Sequence, residues 1–171
     1  MARSLTVNAM VVVFCPFAAG YYLSYFFRFV NAVIAKDLVA DFGMAPSALG
    51  LLTSAYFLSF ALAQVPLGIA LDRFGPRRCA ATLFCVAGAG ALVFGLARDL
   101  TMLSVGRALI GIGVAAGLMG AIKAFTLWFP LSRLATLNGA YLAVGGLGGL
   151  AATAPAEALI GELGWRVLFY G

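Results

Sequence analysis

Gly68-Ile69-Ala70-Leu71-Asp72-Arg73-Phe74-Gly75-Pro76-Arg77-Arg78 gathers one carboxylate and three guanidinium groups around a Gly75-Pro76 turn. On either side the chain is uncharged from Phe42 to Leu71 and from Cys79 to Ala97. A helix needs about 20 apolar residues to cross the hydrocarbon core of a bilayer, so the charges read as a turn at a membrane surface between two spans. Outward from that turn the pattern repeats. Ser4 to Phe27 and Leu134 to Ala156 are uncharged, and Leu100 to Ile122 is interrupted only by Arg107. In hydrocarbon each backbone amide must find an internal partner, and runs of this length without period-2 polarity do so as helices rather than as barrel strands. The reading is an all-α membrane protein with five transmembrane helices, near residues 7-33, 47-70, 80-97, 101-126 and 134-158. Gly164-Trp165-Arg166, followed by Val167-Leu168-Phe169-Tyr170, reads as the start of a sixth at 165.

The composition points the same way. Of 171 residues, 64% are hydrophobic and 10% charged, too few polar groups to coat a water-soluble core, so the lipid bilayer is the solvent. The net charge of +5 does not imply a nucleic-acid partner, because most of the basic residues sit at span ends rather than in a solvated patch. Ala18-Ala19-Gly20 looks like a signal-peptide cleavage site, yet the apolar run continues to Phe27, longer than a signal-peptide core. Three cysteines, Cys15, Cys79 and Cys85, have no metal-ligand spacing, and there is no histidine. They read as small apolar residues, with no metal or other cofactor expected.

Threading the spans in order puts Arg3, Arg73, Arg77, Arg78, Lys123 and Arg133 on the side of the N-terminus and Lys36, Arg98 and Arg166 on the other. That bias predicts a multi-pass protein of the cell inner (plasma) membrane with a cytoplasmic N-terminus. Asp72 is the one acidic residue on the basic side. It lies four residues after Gly68, so on one helix face a close backbone approach sits beside a carboxylate. Charge bias alone requires neither residue.

Within the spans, the first carries Tyr21, Ser24, Tyr25, Arg28 and Asn31 along a single helical stripe. Such a stripe faces either a water-filled cavity or other helices, and an ionisable group on it is a functional candidate. Two readings of Arg28 stand, substrate contact in a cavity and snorkelling toward the surface near Lys36 and Asp37. The fourth span reads Arg107-Ala108-Leu109-Ile110-Gly111-Ile112-Gly113-Val114-Ala115-Ala116-Gly117. Its glycines do not make a dinucleotide loop, since no strand precedes them and no acidic residue follows at about 20 positions. Gly113 and Gly117 instead make one small-residue face for a neighbouring helix, with Arg107 either buried or snorkelling. Gly145 and Gly149 do the same in the fifth span. Lys123, beside Trp128, reads as an interfacial residue.

Gly68, Asp72, Arg73, Gly75, Arg77 and Arg78 resemble the loop signature of the major facilitator superfamily, and Arg107 with Gly111, Gly113 and Gly117 resembles the arginine-glycine pattern of that family's fourth helix. The resemblance covers nearly the whole chain and implies residues 1-171 of an incomplete N-terminal half. The C-terminal half is then the missing partner. It also implies secondary active transport of a small-molecule solute by alternating access between two six-helix halves, as a symporter or antiporter with room for a coupling ion. The antiporter branch's glycine-proline pair in the fifth helix is absent, so antiport gains no support. The loop would latch the two halves through Asp72, and Arg28, Tyr21, Tyr25, Asn31 and Arg107 would meet substrate. The embedded charges are cationic, which favours an organic anion or a zwitterion such as an amino acid or dipeptide. The alternative is a membrane-embedded structural or assembly subunit without transport activity. An enzyme is disfavoured, because no cluster of acid, base and nucleophile is visible.

Overall fold

The computed structural model describes residues 10–170, and every element among them is helical. A π-helical turn over Met10–Phe14 leads into α1 (Cys15–Val33), followed by the short α2 (Ala35–Phe42). The charged turn joins α3 (Pro46–Phe74) to α4 (Pro76–Gly95). Then come α5 (Leu100–Val114) and α6 (Ala116–Trp128), which form one broken span. A second broken span is made by α7 (Leu131–Ala151) and α8 (Ala154–Leu163), and α9 (Val167–Tyr170) opens the sixth position. Five helical segments are long and apolar enough to cross a membrane, at Met10–Val33, Pro46–Phe74, Pro76–Gly95, Leu100–Trp128 and Leu131–Leu163. Residues 7–9 of the expected first span lie outside the described residues.

Helix ends follow local chemistry. Prolines open α3 and α4 at their first position, where the missing N–H costs nothing. The Asp99 carboxylate caps α5 by accepting from Met102 N at 2.7 Å. Between α3 and α4 only Gly75 is outside a helix, at φ 79 and ψ 162, a region open essentially to glycine. The second span therefore runs to Phe74 and the third starts at Pro76, so the turn is tighter than the sequence spacing implies.

The fourth span is the hub. In its apolar window 61% of the residues are buried, against 11% in the second span, whose outer side is left uncovered. It packs on the third span by close backbone approach. A Cβ on Gly106 would fall 2.8 Å from the Phe94 backbone, and one on Gly90 2.7 Å from Ile110 N. The first and fifth spans make the other close pair, with Gly148 set against the Tyr22 backbone. Small residues matter here because helix association in lipid relies on packing and hydrogen bonds rather than on expelling water.

One packing expectation is corrected. Gly113 and Gly117 do not serve one neighbour: Gly113 packs against Ala87 of α4, while Gly117 faces Tyr21 of α1 and its carbonyl accepts from Tyr141 Oη at 2.5 Å. The helix tightens between them, Ala115 N bonding Ile112 O, and that turn breaks the four-residue register. Gly111 meets a third helix, at Tyr56 and Ser59 of α3. Gly145 and Gly149 both face α1, against Tyr21 with Tyr25 and against Phe29.

Candidate functional site

Arg107 sits in the interior, 1% exposed. Its Nη1 donates to Phe27 O at 2.8 Å, its Nη2 donates to Asn31 Oδ1, and its guanidinium lies 4.7 Å from the centre of the Phe94 ring. The snorkelling alternative therefore does not describe Arg107 in this structure. With its oxygen committed to the arginine, the Asn31 amide turns its Nδ2 to Thr53 Oγ1, 3.1 Å away, and Thr53 donates onward to Leu49 O at 3.0 Å. First, second and fourth spans are thus joined through one buried cation.

Arg28 lies one turn from Asn31 but is half-buried, and it rests among rings rather than carboxylates. Its guanidinium carbon is 5.0 Å from the Tyr25 ring centre, 5.5 Å from Phe60 and 5.8 Å from Phe57. Ring faces attract the cation without neutralising it. Among the described residues, the ion pairs are Lys36–Glu157, Lys123–Asp72 and Arg166–Asp41, none of which involves Arg28 or Arg107. A small chamber of about 20 Å³ lies between the two arginines, walled by Arg28, Asn31, Thr53, Tyr56, Phe57 and Arg107.

The polar stripe of the first span divides. Tyr21, Ser24 and Asn31 are buried within the bundle, and only Tyr25 and Arg28 keep partial exposure. Tyr21 is covered because Gly145 lets the fifth span close over it. Its ring stacks on Tyr141 at 4.3 Å, and its hydroxyl donates to Tyr25 Oη at 3.3 Å. Of the five residues expected to meet substrate, Arg28, Tyr21, Tyr25, Asn31 and Arg107, only Tyr25 and Arg28 are partly exposed, with the others buried behind them. Tyr56, Thr53 and Tyr141 were not singled out by the sequence pattern. Thr53 and Tyr56 share a face of α3 at i and i+3, a weak signal in a span with several hydroxyls.

At the charged turn, Asp72 is not held by Arg73, Arg77 or Arg78. It pairs with Lys123 Nζ from α6, so Lys123 is an ion-pair partner rather than a lone interfacial lysine. Arg73 lies over the Phe74 ring at 5.3 Å. Among the described residues nothing lies within 4 Å of where a Cβ on Gly68 would sit, beside the carboxylate. Among the described residues no three His, Cys, Asp or Glu side chains gather as metal ligands.

A bundle of spans enclosing the Arg107 network, with Arg28 in no ion pair among the described residues, defines an integral membrane protein with charge in its interior. Residues 17–171 match the Major Facilitator Superfamily, and the chain belongs to it. It is 30% identical over 150 residues to the probable sulfoacetate transporter SauU of Cupriavidus necator, covering 87% of this chain and 35% of that protein. It is 30% identical over 129 residues to the nitrate/nitrite transporter NrtP of a Picosynechococcus strain, covering 75% and 24%. Against the niacin transporter NiaP of Acinetobacter baylyi it is 28% identical over 144 residues, covering 82% and 32%. The chain thus spans between a quarter and about a third of the length of these relatives.

Proposed function

We propose that this chain forms the N-terminal half of a secondary transporter that carries a small anion bearing a carboxylate, sulfonate or comparable group. The observation that carries the reading is Arg28, a half-buried guanidinium inside the first span with aromatic neighbours and, among the described residues, no carboxylate partner. Insertion scales put the cost of an arginine at a helix centre at about 2.5–3.5 kcal/mol, and an anionic solute offsets part of it. Sulfoacetate, nitrate, nitrite and niacin, for which the relatives are named, share an anionic group.

In this reading Arg28 grips the anion through two parallel N–H bonds. Tyr25 borders the site, and Arg107 with Asn31 holds the first span in place. Arg28→Lys keeps the charge and loses the fork, so in the complete transporter its apparent affinity should fall at least tenfold while membrane abundance is retained. Uptake measured across anionic, zwitterionic and cationic solutes gives the test. Preference for cations, or unchanged affinity in Arg28→Lys, sinks the assignment.

The open face of Gly68 and the exposed Asp72 support a latch to a second half, with Arg73, Gly75, Arg77 and Arg78 fixing the turn. The basic bias of that end supports a cytoplasmic placement. Ser132→Cys, exposed at the same end, should then react with an impermeant thiol reagent only after the cells are opened. Labelling in intact cells reverses the orientation.

A further inference from the structure

The chamber between the two arginines has its own chemistry. Its volume of about 20 Å³ is room for a single small spherical occupant, too small for a carboxylate or sulfonate group. Three polar atoms of its wall residues are buried without a partner: Arg28 Nε, Arg107 Nε and Tyr56 Oη. Arg107 is 1% exposed and Tyr56 2%, so bulk water does not serve them. Buried polar groups in native proteins are paired with few exceptions, and three orphans around one space point to an occupant.

The Asn31 and Thr53 oxygens nearby are already engaged. Asn31 Oδ1 takes Arg107 Nη2, and Thr53 Oγ1 takes Asn31 Nδ2 while donating to Leu49 O. What remains is two guanidinium N–H donors and one phenol, converging from three spans. Two cations share the wall, and the ion pairs among the described residues include neither. A water molecule could accept from both guanidinium groups but would leave the buried Arg107 charge uncompensated, and a buried cation without a counter-charge is the costly case. We propose that this chamber binds a single monatomic inorganic anion of the halide class, chloride or bromide, held by Arg28 Nε–H, Arg107 Nε–H and the Tyr56 hydroxyl. The site lies behind Arg28, on its buried Nε. The organic-anion reading does not enter this argument, and failure of either leaves the other standing.

The experiment is thermal unfolding of the purified transporter in sodium chloride, sodium bromide and sodium gluconate at equal ionic strength, which holds screening constant. Gluconate is too large for the chamber. Chloride and bromide should raise the midpoint saturably by a few degrees over gluconate, as expected for a ligand that binds only the folded state. The rise should at least halve in Tyr56→Phe and vanish in Arg28→Gln, with the gluconate midpoint of Tyr56→Phe close to wild type. Crystals of the wild-type protein grown in bromide should show an anomalous peak between Arg28 and Arg107, a readout independent of how the variants fold. A wild-type response to the halides no larger than that of Tyr56→Phe, or density in the chamber without anomalous signal, would mean that water alone fills it and would overturn the proposal.

Discussion

The two ends of the bundle are held by different means. Toward Asp41 the packing centres on Val30, Ile34, Leu52, Phe94, Leu103, Ile110 and Trp165, encloses the Arg107 network, and is tied at its rim by Lys36–Glu157 and Arg166–Asp41, each 2.9 Å. Toward Asp72 the packing is alanine and aromatic. Phe17, Tyr21, Ala121, Phe125 and Tyr141 pack in one cluster in which the Tyr141 hydroxyl bridges to Gly117 O, and among the described residues the rim has the single pair Asp72–Lys123. The two ends meet near the break in the fourth span at Ala115. Charge and long-range hydrogen bonds knit one end, whereas ring packing fills the other and leaves its carboxylate exposed. That difference suits a half-bundle whose Asp41 end keeps its own shape and whose Asp72 end offers contacts to something else.

The sharpest way to break the comparison is Arg107→Ala. It removes the donors that hold Phe27 O and Asn31 Oδ1 and leaves a void beside Phe94. Leaving the buried Phe27 and Asn31 oxygens without their donor costs about 1–3 kcal/mol for each group, and Asn31 loses the partner that fixes its amide. Thermal unfolding in detergent should show the loss, and no substitution of a surface charge at the Asp72 end should match it. A change below about 1 kcal/mol would mean that Arg107 serves the solute and not the scaffold.

The sequence made some of this legible and hid the rest for physical reasons. Span number and order could be read because a bilayer enforces about 20 apolar residues per helix, and the turn at Gly75 because only glycine tolerates that backbone. Helix–helix neighbours could not be read. Gly113 and Gly117 looked equivalent by spacing, and only the tightened turn at Ala115 separates their partners. Asp72 and Lys123 are far apart along the chain, and nothing local couples them. Tyr141 reads as one aromatic in a glycine-rich helix until the fifth span closes on the first. The chemistry of the charged residues was visible, but their partners depend on which spans touch.

A smaller effect on stability sharpens the contrast at the other end. The Asp72 side chain is 83% exposed and that of Lys123 31%, so the pair is a surface ion pair worth about 0–1 kcal/mol. Asp72→Asn should therefore leave the unfolding midpoint nearly unchanged. If Asp72 also latches a second half, transport in the complete protein should fall by a factor far larger than that stability change. Equal uptake at equal membrane abundance would reduce the turn to an anchor, and a large loss of stability would show that Lys123 is its whole purpose.

The smallest effect concerns acid and should touch only the Asp41 end. The Asp41 carboxylate accepts from Trp165 Nε1 and from Arg166 Nη1, each at 2.9 Å. The Trp165 bond first, and Arg166 with it, hold its pKa below the ordinary carboxylate range. For a group whose folded pKa is depressed, the stabilisation is present above the unfolded value, about 3.9, and disappears as pH falls through the folded value. Lys36 behaves in the opposite sense. Its hydrogen bond to Glu157 raises its pKa, so the lysine's share of that tie is in place at neutral pH and is lost only in strong alkali. Acidification below about pH 4 should therefore weaken the bond from Trp165 to Asp41 as the carboxylate loses its charge. Trp128 and Trp165 are the two tryptophans, so a Trp128→Phe background isolates the Trp165 emission, which should change through one titration in that range. Asp41→Asn can still accept from the indole but cannot titrate, and it should abolish the transition. The same change persisting in Asp41→Asn would assign the acid response to another group and remove the carboxylate from the clasp.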